Sequence, residues 1–376
     1  MKKICYVVTI SLTIKSFFVK QLQYLSENGF DVTVICSPDD SLQDILGSKI
    51  KFVPVAMPRG ISIGGSIASI IKLTSIFKKQ KFDLIQYSTP NAAFYASIAA
   101  KSAGCKVRNY HLMGFRFLGA LGVAKTILKW IEKTACKNST SIECVSKSNL
   151  EIGIKEGLFP REKATVVWNG STGGVDLLRF DFSKRERWRN EIRNTLGYKE
   201  DDFIYGFVGR ITKDKGINEL LTAFLNLKDD SKLLLVGDIE KENRLDNALL
   251  KTAHKNNNIL FHGFVSDIER YFAAIDVLVL PSYREGFGNV VIEAGAVGTP
   301  SIVSNIPGPI DAIEVGKTAL AVEVGDVKAL EDAMIEIYKI DYKTAGQNAA
   351  YYCRDKFDSN ILCDKIAERK RYLLSI

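Results

Sequence analysis

The sequence predicts an α/β protein of two doubly wound domains, each a parallel sheet with helices on both faces, opening onto a shared cleft. Three observations carry this expectation. The chain has 376 residues, more than one ordinary core accommodates. Short apolar runs alternate with helical stretches, the pattern of parallel strands buried on both faces. The rhythm breaks at WNGSTGGVDLLRF, residues 168–180, where glycines 170, 173 and 174 mark a linker.

The first series opens with KICYVVT as a buried strand and a helix running to about Asn28. DVTVIC, KFVPVAM, DLIQY and SIECVS read as further strands, and SIASIIKLTSIFKKQ and NAAFYASIAAKSAG as helices between them. After the linker comes a charged stretch, SKRERWRNEIRN. The second series then runs through DDFIYGFVGR, KLLLVGD, NILFHGF, DVLVLPS and TPSIVS, and the chain ends in helical segments, VKALEDAMIEIYKI and about 342–376. There is no fixed-period repeat and no low-complexity segment.

Composition narrows the classes. The chain is 46% apolar and 25% charged, with no apolar run near the ~20 residues a membrane span needs. Its start resembles a signal peptide, but Lys15 interrupts the apolar run and no small-residue cleavage site follows, so a buried first strand and a cytoplasmic protein are expected. Seven cysteines without a CxxC pair point to reduced thiols. The net charge of +8 is uneven: residues 1–170 hold 23 Lys+Arg against 11 Asp+Glu, giving +12, and the remainder hold 28 against 32, giving −4. One half therefore suits an anionic partner, with nucleic acid, anionic lipid and a phosphorylated substrate all open. TISLTIKSFF after the first strand lacks a GxGxxG, which disfavours a dinucleotide-binding oxidoreductase.

Three segments of the second series fall at strand ends, where open α/β sheets bind ligands. In GFVGRITKDKG, Arg210 closes a strand and Lys215 follows a polar turn; two cations so placed suit a diphosphate, or else are solvated loop charges. In FHGFVSDIERYF the turn at Phe264 can offer backbone groups to a nucleobase edge, and His262 is as consistent with a packed histidine. In REGFGNVVIEAGAVG, a loop with Gly286 and Gly288 leads into a helix opened by Asn289 and ended at Gly298. Free N–H groups at such a start attract phosphate or sugar hydroxyls. Glu293 lies about one turn into the helix, ~6 Å along it, whereas Glu285 precedes it, so the two carboxylates point to different places. Vicinal hydroxyls, as on a ribose, suit Glu293.

Taken together, EGFGNVVIE, GRITKDKG and the linker NGSTGGVDLLRF resemble the family 4 retaining glycosyltransferases of GT-B fold over nearly the whole chain, closest to the capsule and O-antigen branch. The resemblance implies an acceptor-binding Rossmann-like domain at 1–170, a nucleotide-sugar-binding one at 171–355, and a C-terminal helix, about 356–376, crossing back to the first. It implies that Glu293 binds the ribose and that Glu285, Gly286, Phe287 and Gly288 hold the donor sugar. Arg210 and Lys215 then bind the diphosphate, and His111 of YHLMGF contacts the donor sugar. Asn289 and Phe264 join the donor contacts. Two departures are the inserted Ser-Thr in the linker and the missing Gly-Gly in the first strand–helix loop.

The expected reaction is retaining transfer of a hexose or N-acetylhexosamine from a nucleotide-diphosphate sugar, with UDP favoured by the resemblance. With no Asp-x-Asp triplet in the sequence, no metal or other cofactor is expected. Chemistry would rest on positioning and charge stabilisation rather than on a carboxylate dyad. The acceptor implied is a polyprenyl-diphosphate-linked saccharide at the inner face of the membrane. FRFLGALGVAKTILKWIEK, residues 115–133, mixes apolar side chains with Arg116, Lys125, Lys129 and Lys133, suiting either an anionic membrane surface or a helix with its apolar face in the core; IKSFFVK, 14–20, is a shorter version. The alternatives are a soluble acceptor, a GT-B nucleotide-sugar epimerase, for which three histidines supply little acid–base material, and a nucleic-acid-binding protein.

Overall fold

In KKICYV the alternating side chains sort to opposite faces. Cys5 and Val7 join one buried cluster, Ile4 and Tyr6 another, so the strand is covered on both sides. The computed structural model describes residues 1–58, 63–240, 245–339 and 341–376. It divides into two compact units, Met1–Gly173 with Asn360–Ile376, and Gly174–Ser359.

The first unit holds a seven-stranded parallel sheet of β1 (Lys2–Val7), β2 (Phe30–Cys36), β3 (Lys51–Pro54), β4 (Leu84–Ser88), β5 (Val107–Leu112), β6 (Ser141–Cys144) and β7 (Ala164–Val166), in the order β3-β2-β1-β4-β5-β6-β7. Helices Ile63–Gln80, Pro90–Ser102 and Gly122–Asn138 pack in series, α-face to α-face, and Ala92, Ala93, Ala96 and Ala99 let the middle one approach the sheet. On the other face Ile14, Phe18 and Leu22 meet Leu362 and Ile366 of the C-terminal helix Ser359–Ser375.

The second unit repeats the design with six parallel strands: β8 (Ile204–Val208), β9 (Lys232–Val236), β10 (Ile259–Gly263), β11 (Val277–Leu280), β12 (Ser301–Ser304) and β13 (Ala319–Val322), ordered β10-β9-β8-β11-β12-β13. Each unit's first strand sits centrally, and the strand order reverses beside it. Carboxyl ends flanking that reversal are where doubly wound sheets take ligands. In the second unit these are the ends of β8 and β11.

Several elements differ from expectation. β5, β7 and β13 are additional strands. The helix expected to reach Asn28 is two, Ser11–Phe17 and Val19–Glu27, broken where Phe18 turns into the core, and the last stretch is two helices, Tyr342–Phe357 and Ser359–Ser375. The segment 115–133 is not one helix. A 3-10 turn, Arg116–Gly119, buries Phe117 against Phe115, and helix Gly122–Asn138 starts afterwards. Ile14 and Phe18 of IKSFFVK are wholly buried, so that stretch belongs to the core. Ile340, the last residue of one expected helix, lies outside the described residues. All seven cysteines are buried free thiols.

Candidate active site

Two loops close on each other at the switch point of the second sheet. β8 ends at Val208, and Arg210 lies two residues beyond rather than within the strand. The chain continues through a 3-10 turn, Lys213–Lys215, into Gly216, whose φ is +71° and whose added Cβ would lie 2.1 Å from the Pro281 carbonyl oxygen. Only glycine fits there. That approach brings the loop after β8 against the loop after β11, and the Tyr283 amide donates to the Asp214 carbonyl at 2.9 Å. A third loop presses on the same place: a Cβ on Gly308 would meet the Gly286 carbonyl at 2.8 Å.

Lys215 and Glu285 therefore meet. Lys215 Nζ lies 2.5 Å from Glu285 Oε1, which also accepts from Ser282 Oγ at 2.9 Å. With 17% and 13% of their side chains exposed, the pair is shielded but open to a ligand. Beside them, Asp214 accepts from Thr212 at 2.5 Å and from Arg284 at 3.1 Å. Arg210 stands apart from this pair. It is exposed, and its Nη1 donates to both oxygens of Glu240 at 2.9 and 3.0 Å. An exposed pair of this kind contributes only about 0–1 kcal/mol, so Arg210 exchanges partners readily.

Helix Asn289–Ala296 begins at Gly288, φ +85°, with Asn289 as its first residue. Glu293 follows one turn later, half-buried, and makes no hydrogen bond among the described residues. Burial pushes its carboxyl up to about 7; Arg179 opposes this and Glu269 adds to it. Glu285 is thus held by a lysine and a serine, while Glu293 presents two unbonded oxygens in different surroundings. The phenyl ring of Phe287 is buried edge-on against Phe357, centroids 5.4 Å apart, so only its backbone is available to a ligand. Phe264 is 76% exposed on the loop after β10. His262 packs against Tyr271, its Nε2 3.1 Å from the hydroxyl.

His111, in the first unit, is the next-to-last residue of β5, beside Ser88, whose Oγ lies 3.4 Å from Nδ1, and packs edge-on to Phe18. Burial pulls it down to about 4, with Glu143 opposing and Lys370 adding. At neutral pH it is a neutral hydrogen-bonding group. It lines a small cavity of mixed character, with Gln21, Gln86, Glu143, Ser171 and Lys370 among the polar residues and Val167, Leu362 and Ile366 among the apolar ones. Among the described residues no cluster of three or more His, Cys, Asp or Glu stands where it could hold a metal ion.

Sequence reasoning did not single out Ser282, Asp214, Arg179 or Glu269. All four lie inside motif segments it quoted, but Arg179 and Glu269 are brought to Glu293 only by folding.

Comparison with known proteins decides the family. The description "Glycosyltransferase Family 4" matches residues 17–171 and "Glycosyl transferases group 1" matches residues 189–352. A capsular polysaccharide biosynthesis glycosyltransferase of Staphylococcus aureus, CapM, is 31% identical over 372 residues, covering 97% of this chain and 96% of its own. The chain is a family 4 glycosyltransferase. This glycosyltransferase is also 30% identical over 330 residues to the UDP-Gal:α-D-GlcNAc-diphosphoundecaprenol α-1,3-galactosyltransferase of Escherichia coli, covering 85% of this chain and 83% of that one. Its GT-B fold is shared with sucrose-phosphate synthase of Thermosynechococcus elongatus, at TM-score 0.82, 20% identity and full coverage of both chains. Anabaena HepE in complex with UDP-glucose matches at TM-score 0.78 and 21% identity, covering 99% and 100%.

Proposed function

We propose that this glycosyltransferase moves a hexose or N-acetylhexosamine from a UDP-sugar to a saccharide carried on a lipid diphosphate, in assembly of a surface polysaccharide. In this reading transfer retains the anomeric configuration and uses no metal. The observation that carries it is the division between two carboxylates: Glu285 paired with Lys215 at the switch point, and Glu293 unbonded beside Arg179 and Glu269. Glu293 takes the ribose diol. Lys215, with three donors, keeps Glu285 and still meets the diphosphate, and Arg210 leaves Glu240 to join it. As the glycosidic bond breaks, charge grows on the diphosphate and these two cations stabilise it. The leaving oxygen accepts the acceptor's proton on the face from which it departs. Glu285 and the amides of Gly286–Gly288 hold the sugar. Two relatives support the choice of substrates, one named for capsular polysaccharide biosynthesis and one for transfer from UDP-Gal to a diphosphoundecaprenol-linked sugar.

The acceptor reading draws on the first unit. Leu121, Val123 and Trp130 are 89%, 76% and 60% exposed. Glu132, the one acid of helix Gly122–Asn138, turns inward and accepts from Tyr110 at 2.6 Å. The exposed start of the helix and the residues leading into it thus carry apolar side chains together with Lys125, and Lys133 follows further along, as a surface for an anionic membrane leaflet requires. No helix among the described residues is long and apolar enough to cross a membrane. The enzyme is accordingly proposed to work in the cytoplasm, at the inner face of that membrane.

Incubation with a panel of UDP-, GDP- and dTDP-sugars tests the donor reading. Slow release of UDP from a UDP-sugar, undiminished by EDTA, is expected. Release of another nucleotide instead, or abolition by chelation, overturns it.

A further inference from the structure

We infer that Arg179 is a positioning residue for the donor nucleoside: it clamps the loop after β10 to the linker, and its charge bears on Glu293. This rests on the donor-site reading above. Arg179 Nε donates to Glu269 Oε2 at 2.8 Å, and its Nη2 donates to the Ser266 carbonyl at 2.7 Å. One planar fork thereby grips the loop 264–267 and the first turn of helix Ile268–Ala274 together. Its stem is anchored as well. The guanidinium lies 5.2 Å from the ring of Phe180, and Phe180 is buried against Phe272 of that same helix. The linker segment carrying Arg179 is held by a turn in which the Phe180 amide donates to the Asp176 carbonyl at 2.8 Å. The far side of the loop, at Phe264, is exposed and available to a base.

The same residue governs Glu293. The charges that bear on that carboxylate are Arg179, from the linker, and Glu269, from helix Ile268–Ala274. Helix Tyr342–Phe357 meets Gly295 through Ala349 and Cys353, β11 and β12 bring no ionisable side chain, and the turn Pro309–Ala312 adds one acid, Asp311. Arg179 neutralises Glu269 by direct contact and favours the ionised form of Glu293, the form that accepts from both ribose hydroxyls. Lysine cannot replace it, because a single ammonium does not span a carboxylate and a carbonyl in the plane of a fork.

The test measures UDP binding by calorimetry across pH, with kcat at saturating donor alongside. Arg179→Lys and Arg179→Ala should each weaken UDP roughly tenfold at pH 7 while kcat changes less than about threefold. In Arg179→Ala the pH at which UDP affinity is half lost should rise by about half a unit or more, because loss of the positive charge makes Glu293 harder to ionise. Glu269→Gln, which keeps an acceptor for Arg179 and removes a negative charge, should move that midpoint downward and remains informative if the arginine variants do not fold. Unaltered affinity in Arg179→Lys, or a midpoint unmoved in both Arg179→Ala and Glu269→Gln, would overturn the role of Arg179 alone. Wild-type protein that binds no nucleoside diphosphate would overturn the donor-site reading itself.

Discussion

Glu285 and Glu293 share one eleven-residue stretch, REGFGNVVIEA, but not one environment. Their division of labour predicts two different phenotypes. Glu293→Ala removes two charge-assisted hydrogen bonds to ribose, each ~1.5–3 kcal/mol, so donor KM should rise at least about tenfold with kcat largely kept. Glu285→Ala leaves Lys215 without its carboxylate and the sugar without its acceptor, so kcat should fall more than KM rises. Steady-state kinetics on folded variants would contradict the division if both changed the same parameter alike. These glutamates, Arg210 and Lys215 were legible because motif and spacing carry them. Their pairing was not: Lys215 meets Glu285 because Gly216 lies against Pro281, a closure with no local signature. Phe287 illustrates the converse, since a residue inside the motif spends its side chain on Phe357.

At the scale of elements, strands with unbroken apolar runs were legible and mixed ones were not. VRNYHL forms β5 although Arg108, Asn109 and His111 interrupt its apolar pattern; Asn109 donates its side-chain amide to Gln86 Oε1 at 3.0 Å inside the unit. ATV and ALAV, at the sheet edges, are too short to stand out. The C-terminal helix docks on the first sheet through a buried pair, with Lys370 Nζ 2.7 Å from Glu143 Oε2 and only 1% and 4% of the side chains exposed. Lys370 holds the Glu143 carboxyl below its ordinary range against the opposing effect of burial. Lys370→Met should therefore cost about 3–5 kcal/mol, because the buried carboxylate loses its close partner and keeps the longer contact to Arg369, at 3.6 Å. The double variant Lys370→Met/Glu143→Leu should recover most of it. Denaturant unfolding checks this; a double variant no more stable than the single would show that the helix is held by something else.

On the scale of the whole molecule, the fold class was readable from alternation and length, and the charge asymmetry between the first 170 residues and the rest was plain. What the sequence left open was which face of the first unit's apolar–basic segment is free, because Phe115 and Phe117 turn into the core while Leu121 and Trp130 do not. Lys129 also pairs with Glu156 at 2.7 Å, which leaves Lys125 and Lys133 as the cleaner probes of the surface. Their reversal to glutamate should reduce transfer on anionic vesicles while donor hydrolysis is preserved, since lysines near such a surface contribute ~1 kcal/mol each. The most direct measurement of the central claim is transfer from a UDP-α-sugar to a lipid-diphosphate saccharide embedded in anionic vesicles, in EDTA, with the product's anomeric configuration read by NMR. The account predicts an α-linked lipid-bound product whose yield falls in the Lys125→Glu/Lys133→Glu variant. A β-linked product, or sugar transferred only to water-soluble acceptors, would contradict it.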